Sequence, residues 1–405
     1  MERPITSTES LYLAIEASVG SFAMIRAVQG EFYANRCDQE AIQTAWQQSI
    51  HAHPHFRSVL RGRSWVDAGE TFQPALEVVA ARMDLHLLPH LRALDCSMSA
   101  ICLWLYEDGF VFQASHSLTD GVGIQRLIHT FFDALRSVIR QEQNTARIKV
   151  IPVQQHYIDE RSLAKLLGVK PTGFLPRWDK RFQAQVHIAG SSIRDMAAWR
   201  SRSIPLAHLV SPGDNKLLLS QILLKTARWM QECHPNKSVR CMLPVDLRKY
   251  GENPWVDGNL SLPLWLEITG RESASDLSQD IRSRIKNREP LQQADPIPLN
   301  KTWLQNCRNW LFIQLVKWSH RRHRYALNMI VSYLGKYDQE SYSHGGFRCD
   351  SVWSSALFSG ISPLQMHVTH DDQSVYFHIS YQRQLFTEAQ IENLFKQLKH
   401  PTSLV

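Results

Sequence analysis

The chain of 405 residues carries 45 Lys and Arg against 38 Asp and Glu, a formal net charge of +7, with 44% apolar and 20% charged residues. That balance suits a folded globular protein rather than a disordered one, and the length suits two domains or one bilobed unit. No apolar stretch reaches the ~20 residues of a membrane-spanning helix, and no basic segment followed by an apolar one marks a secretory signal. The seven cysteines are scattered and form no C-x-x-C pair, which predicts reduced thiols in a cytoplasmic protein rather than disulfides or a metal site. The positive charge is concentrated in two places. Residues 147–203 hold eleven Lys/Arg and four Asp/Glu, and residues 296–337 hold seven basic residues and no acid. The remainder is net acidic, and no nucleic-acid reader motif accompanies the basic segments, so no nucleic-acid partner is expected.

Along the chain, Asp38 is placed to cap a helix whose Ala41, Ile42, Ala45 and Ile50 share one face. Pro54 stops it, and the run from Phe56 to Leu60 reads as a strand. Residues 100–106 and 110–115 flank Glu107-Asp108-Gly109 as a hairpin. The second strand runs into His116-Ser117-Leu118-Thr119-Asp120-Gly121, and an amphipathic helix follows through Ile139. Residues 143–212 are basic and weakly periodic and read as a crossover. A helix from Leu217 to Met230, a strand from Val239 to Val245 and another near Leu260–Ile268 come next. Helices near Ser275–Lys286 and Thr302–Tyr325 precede a last hairpin (Leu364–Thr369, Val375–Tyr381). The tetrad Thr387-Glu388-Ala389-Gln390 opens the final helix as a capping box. The expected organisation is an α/β (α+β) chain with an N-terminal lobe over 1–145, a crossover over 146–212 and a C-terminal lobe over 213–405.

The sharpest feature is His116-x-x-x-Asp120-Gly121 at a strand-to-helix junction. A strand end presents an imidazole rigidly, and a histidine near its ordinary pKa of ~6.5 can take a proton from a hydroxyl or amine. Asp120 could stand by the imidazole, hold the loop through a cation, or simply cap the next helix. Gly121 and Gly123 allow close backbone approach. Two ligands at i, i+4 without a third do not make a metal site.

Around this motif the chain resembles the chloramphenicol acetyltransferase-like superfamily of CoA-dependent acyltransferases and condensation domains. The resemblance rests, in order, on Ser7-Thr8-Glu9, His53-Pro54-His55-Phe56-Arg57, His116–Gly121, Pro244–Arg248, Gly258-Asn259, Ser332–Gly335 and Ile379-Ser380-Tyr381. It implies two similar lobes, each a mixed sheet flanked by helices, with a channel between them. It further implies that His116 is the general base and that the acceptor attacks the thioester directly, without an acyl-enzyme. Asp120 would be held by Arg248, and Asn259 would organise the channel. Ser332 is a candidate oxyanion donor, with a turn or core serine as the alternative. Ser115 stands where condensation domains usually carry a first histidine, and the plant-type Asp-Phe-Gly-Trp-Gly signature is absent, which suits a stand-alone microbial member.

The resemblance gives the basic segments a partner. Coenzyme A brings phosphates and an acyl-carrier protein brings an acidic helix, so Arg177, Lys180, Arg181, Arg321, Arg322 and Arg324 become candidates for binding the donor phosphates. A solvated surface, or cations favouring a helix end, is the plain alternative. The expected activity moves an acyl group, acetyl by preference, from acyl-CoA (acetyl-CoA) as co-substrate to a hydroxyl or amine of a small secondary metabolite. Carrier-dependent condensation and a non-catalytic scaffold are the alternatives, and a monomer is expected. The apolar helix around Trp303–Trp318 reads as core or acyl-pocket lining rather than a membrane-surface helix. His367, His370 and His378 read as surface histidines of the last hairpin.

Overall fold

The computed structural model describes residues 2–19, 23–33, 37–140, 159–173, 178–185, 196–211, 213–235, 238–251, 257–297, 301–343, 346–356 and 360–399. In chain order the first part holds β1 (Glu2–Pro4), α1 (Ser7–Val19), β2 (Ala23–Phe32), α2 (Gln39–Ala52), β3 (Ser58–Arg61), β4 (Ser64–Asp67), β5 (Ala75–Val78), β6 (Ile101–Tyr106), β7 (Gly109–Ser115) and α3 (Gly121–Ile139). The second runs through α4 (Glu160–Leu166), β8 (Lys180–Arg181), β9 (Ala197–Pro205), α5 (Leu218–Cys233), β10 (Val239–Asp246), β11 (Ser261–Ile268), α6 (Ala274–Lys286) and α7 (Glu289–Gln292). It ends with α8 (Thr302–Arg322), β12 (Arg324–Tyr325), β13 (Met329–Lys336), β14 (Phe347–Ala356), β15 (Leu364–His370), β16 (Ser374–Gln382) and α9 (Glu388–Lys399).

Two mixed sheets organise these elements. The first has the order β14-β2-β7-β6-β5, and the second β11-β10-β13-β15-β16-β9. Helices α2 and α3 cover the first sheet, because Trp46, Phe131 and Phe132 bury their rings against Phe110 and Phe112 of β7. Such aromatic pairs prefer these edge-to-face contacts. In the second sheet Met366, Val368, Phe377 and Ile379 turn to a core shared with α5 and α9. Several local expectations hold. Asp38 accepts from the Ala41 backbone N–H at 2.7 Å. Thr387 and Gln390 exchange reciprocal hydrogen bonds at 3.2 and 2.9 Å. All seven cysteines are unbridged.

Other expectations change. The run after Pro54 begins as a 3-10 turn over Pro54–Arg57, and only Ser58–Arg61 is strand. The stretch read as a crossover supplies β9, which pairs with β16 along its length. Strand β14, drawn from well inside the expected C-terminal lobe, pairs with β2 and completes the first sheet. Its far position in the chain hides this, since pairing partners of an edge strand are set by tertiary contacts.

Two readings are corrected. His367, His370 and His378 are not surface residues: all three are buried, because β15 and β16 are interior strands of the second sheet. Helix α8 is core on one face only, where Ile313 packs on Ile15 of α1. Trp303, Trp310, Leu311 and Trp318 are exposed, while Gln305, Asn309, Ile313, Val316, Ser319 and His320 face inward. Its polar side grips α1, with Gln305 Nε2 donating to Ser7 Oγ and Asn309 Nδ2 to Ser10 Oγ, each at 2.9 Å. Among the described residues no helix is long and apolar enough to cross a membrane.

Candidate active site

His116 leaves the sheet directly after Ser115, the last residue of β7, which lies hydrogen-bonded between β2 and β6. Every residue of β7 is buried, so the loop starts from a fixed point. Asp120 ends the loop as N-cap of α3, accepting from the Val122 and Gly123 N–H groups at 3.1 and 3.0 Å. The same carboxylate receives both Nη atoms of Arg248 at 3.0 Å and the Leu260 N–H at 2.9 Å. The alternatives left open in the sequence thus resolve into two at once: Asp120 is both cap and ion-pair partner. Burial alone would raise its carboxyl, but the Arg248 guanidinium and the backbone donors outweigh that and hold it below the usual carboxylate range.

Arg248 sits in the first turn after β10, where it also donates to the Gly258 carbonyl at 2.6 Å and to Asp246 at 2.9 Å. Asn259 Nδ2 donates to the main-chain carbonyl of His116 at 2.6 Å. Segments 246–248 and 257–260 therefore hold the histidine loop from the side of the second sheet. Gly123 makes the approach possible, since a Cβ there would lie 2.1 Å from Thr119 Oγ1 and 2.4 Å from the Asp257 carbonyl oxygen. At Gly121 a Cβ would lie 2.6 Å from the Leu334 side chain of β13.

A further clamp was hidden in the sequence inside the His53–Arg57 run. His55 Nε2 meets the Leu118 carbonyl at 2.8 Å. His53 bridges Asp257 at 2.9 Å and Thr130 at 2.8 Å, and Arg126 reaches Asp257 at 2.7 Å. Thr119 Oγ1 donates to the Asp257 carbonyl at 2.7 Å. Its sequence signal was the His-Pro-His spacing after α2; nothing local pointed to Asp257.

The His116 ring lies against Tyr12 of α1, with centroids 4.4 Å apart. Burial pushes the imidazole below its ordinary value, opposed only partly by Asp120 and Asn259. It is therefore neutral at pH 7 and able to accept a proton. The loop meets the second sheet at Leu334 of β13, on the face turned away from α5 and α9. There Ser332, His367, His378 and Ser201 occupy one row across β13, β15, β16 and β9. Val331 and Tyr333 turn to the core shared with α5 and α9, so Ser332 and Leu334 lie on the opposite face of β13, where Leu334 meets Gly121 of the loop.

The basic candidates separate. Arg177 lies outside the described residues. Lys180 Nζ is engaged by Ser238 O at 3.0 Å and by Glu267 at 3.6 Å. Arg181 and Arg324 stand directly opposite each other across the β8–β12 ladder, with exposed Arg321 and Arg322 in the preceding helical turn. Like charges placed so repel unless an anion joins them. Among the described residues no group of three His, Cys, Asp or Glu is arranged to hold a metal ion.

No family model matches the sequence, and no curated protein matches it either. Solved structures do. Polyketide synthase associated protein 5 from Mycobacterium tuberculosis superposes with a TM-score of 0.64 at 15% identity, covering 100% of this chain and 98% of that one. Trichothecene 15-O-acetyltransferase from Fusarium sporotrichioides gives 0.63 at 12%, covering 98% and 93%. A starter condensation domain of rhizomide synthetase, in complex with C8-CoA and Leu-SNAC, gives 0.60 at 13%, covering 98% and 93%. The chain therefore shares the fold of these condensation-domain and acetyltransferase structures.

Proposed function

We propose that the protein is an acyltransferase that moves an acyl group from a CoA thioester to a hydroxyl or amine of a small molecule. The observation that carries this reading is the buried His116 imidazole at the end of β7, on a loop clamped by Asn259 and by the Asp120–Arg248 pair, with burial pushing the ring below its ordinary pKa. The imidazole takes the acceptor's proton as its oxygen or nitrogen attacks the thioester carbonyl. The C–S bond then breaks, and the departing thiolate receives that proton from His116.

Direct attack is favoured because, among the described residues, no activated serine or cysteine stands beside the base. Ser115 Oγ and Ser117 Oγ are hydrogen-bonded to each other at 2.7 Å. Cys96, next to both, has its thiol pushed up to about 12 by burial and by Glu16, which suppresses the thiolate needed for attack. Ser332 is the residue we assign to the thioester oxyanion, on the strength of its place in the row with His367.

The Arg181–Arg324 pair, with Arg321 and Arg322, supports a phosphate-bearing donor. The complex of the similar condensation domain with C8-CoA is in keeping with a CoA thioester. A small secondary metabolite as acceptor agrees with the similarity to a trichothecene O-acetyltransferase. The test is release of free thiol from acetyl-CoA and longer acyl-CoAs with a panel of alcohols and amines. Acceptor-dependent release by the wild type, lost in His116→Ala, is expected. Activity only with an acyl-carrier protein as donor would replace CoA by the carrier and overturn the donor assignment.

A further inference from the structure

Arg26 lies on β2, in the middle of the first sheet, and is only 3% exposed. Its guanidinium makes a single long hydrogen bond, 3.5 Å to Gln125 Oε1, and its Nε has no partner. No carboxylate among the described residues reaches it. A buried cation in this state is costly, and proteins ordinarily pair such a group or neutralise it. The burial lowers its pKa, in keeping with that cost. The other buried cation of the region, Arg248, is paired with Asp120.

The position of Arg26 explains what the missing partner is for. Met24, two residues earlier on the same side of β2, comes within 3.6 Å of the Cβ position of Gly121. Gln125 lies one helical turn beyond Gly121 on α3. The Arg26 backbone therefore lies about 7 Å along the strand from the residue that touches the loop carrying His116. Across from it, Thr369 Oγ1 of β15 donates to the Val352 carbonyl of β14 at 2.6 Å, which brings His367, two residues earlier on β15, to the side of Ser354 and Arg26. His367 has neither ring nitrogen bonded, His378 Nε2 has no partner, and Ser354 Oγ, beside Arg26 in register, has none either. All are buried.

We propose that Arg26, with Ser354 and His367, forms a subsite for a carboxylate carried by one of the substrates, either a hydroxy- or amino-acid acceptor or a dicarboxylic acyl donor. This rests on the acyl-transfer reading for its chemistry, not for the binding itself. The guanidinium fork matches a carboxylate, and the neutral histidines and the serine supply the remaining donors. The first measurement is binding without turnover. Thermal shift with 3-hydroxybutyrate, against 3-hydroxybutyramide, probes the acceptor source; succinyl-CoA against butyryl-CoA probes the donor source. Arg26→Met is the variant, and it is expected to melt above the wild type when unliganded because an unpaired buried charge is removed.

Stabilisation by one carboxylate probe over its neutral counterpart, abolished in Arg26→Met, is the expected result. In turnover the same carboxylate should be favoured about 10-fold or more in kcat/KM, with activity on the neutral counterpart kept in the variant. Equal responses to both members of each pair, or an Arg26→Met protein less stable than wild type, would overturn the subsite. Carboxylate binding without any acyl transfer would instead sink the proposed function and leave the subsite standing.

A second, independent observation concerns α8. Trp303, Trp310 and Trp318 are 64%, 64% and 40% exposed, and Leu311 is 53% exposed. At spacings of 7, 8 and 15 residues they form one stripe, which exposed Lys317 and Arg321 continue, within a stretch of seven basic residues and no acid. Tryptophan beside lysine and arginine is the composition of a helix lying in a lipid interface, and its charge complements an anionic surface. The geometry points to docking of this face on an anionic membrane. Sedimentation with phosphatidylglycerol-containing vesicles, but not pure phosphatidylcholine, is expected, with loss of binding in the Trp303→Ser, Trp310→Ser, Trp318→Ser triple variant. Indifference to vesicle charge, or a stable dimer dissolved by the triple variant, would overturn it.

Discussion

Removing the Asp120–Arg248 pair from either side tests whether it holds the histidine loop. The two side chains are 4% and 3% exposed, so the pair is buried and scarcely screened by salt. Arg248→Met leaves Asp120 its three backbone donors, so the loss should fall at the low end of the range for breaking a buried pair, about 3 kcal/mol. Asp120→Ala also orphans the first amides of α3, which adds about 1 kcal/mol, for a total of about 4 kcal/mol. The double variant should fall short of the sum by about 0.5–3 kcal/mol, because each single change already breaks the shared contact. Urea unfolding at pH 7, repeated at 1 M NaCl, reads all three. Asp120 has a depressed carboxyl, so its contribution is present above pH 3.8 and is lost only as pH falls through its lower folded value. Single variants within about 1 kcal/mol of wild type, or strictly additive losses, would refute the reasoning.

Further outcomes follow from the same geometry. Gly123→Ala forces a Cβ to 2.4 Å from the Asp257 carbonyl and should destabilise by about 1–3 kcal/mol, with turnover falling as the loop shifts; chemical denaturation and thiol release measure both. The lowered imidazole of His116 should place the acid limb of the kcat/KM profile below pH 6.5, with a flat rate through neutrality; a limb above that value would contradict the burial argument. Glu160, buried near Tyr12, has its carboxyl pushed up to about 8 by burial. It contributes stability below pH 4.5 that is lost as pH rises toward 8, at up to about 1.4 kcal/mol per unit. Glu160→Gln should flatten this window in urea midpoints taken from pH 5 to 8.

The residues legible in the sequence were those whose roles depend on short spacings. His116, Asp120 and the two glycines sit within eight residues, and the strand end that presents them shows as an apolar run closed by a hairpin turn. Arg248 and Asn259 were reachable only through the resemblance, since nothing nearby distinguishes a buried arginine from a surface one. Arg26 escaped altogether: a lone cation in a mainly apolar strand gives no sign of whether its side faces water or the other lobe. The hairpin histidines were misread because a polar turn at Asp371-Asp372 looks like a surface edge, whereas β13 and β9 cover both sides. Helix α8 was misread because its apolar residues nearly circle the axis, and the inward face is set by Ile313 packing on Ile15 of α1 together with hydrogen bonds to α1.

The most direct measurement compares acceptor-dependent thiol release from acyl-CoA by wild type and by His116→Ala, with urea midpoints confirming that both are equally folded. The account predicts a fall of about 10²–10⁴-fold in turnover with little change in stability. A His116→Ala protein that releases thiol at the wild-type rate, in the same acceptor-dependent way, would contradict it.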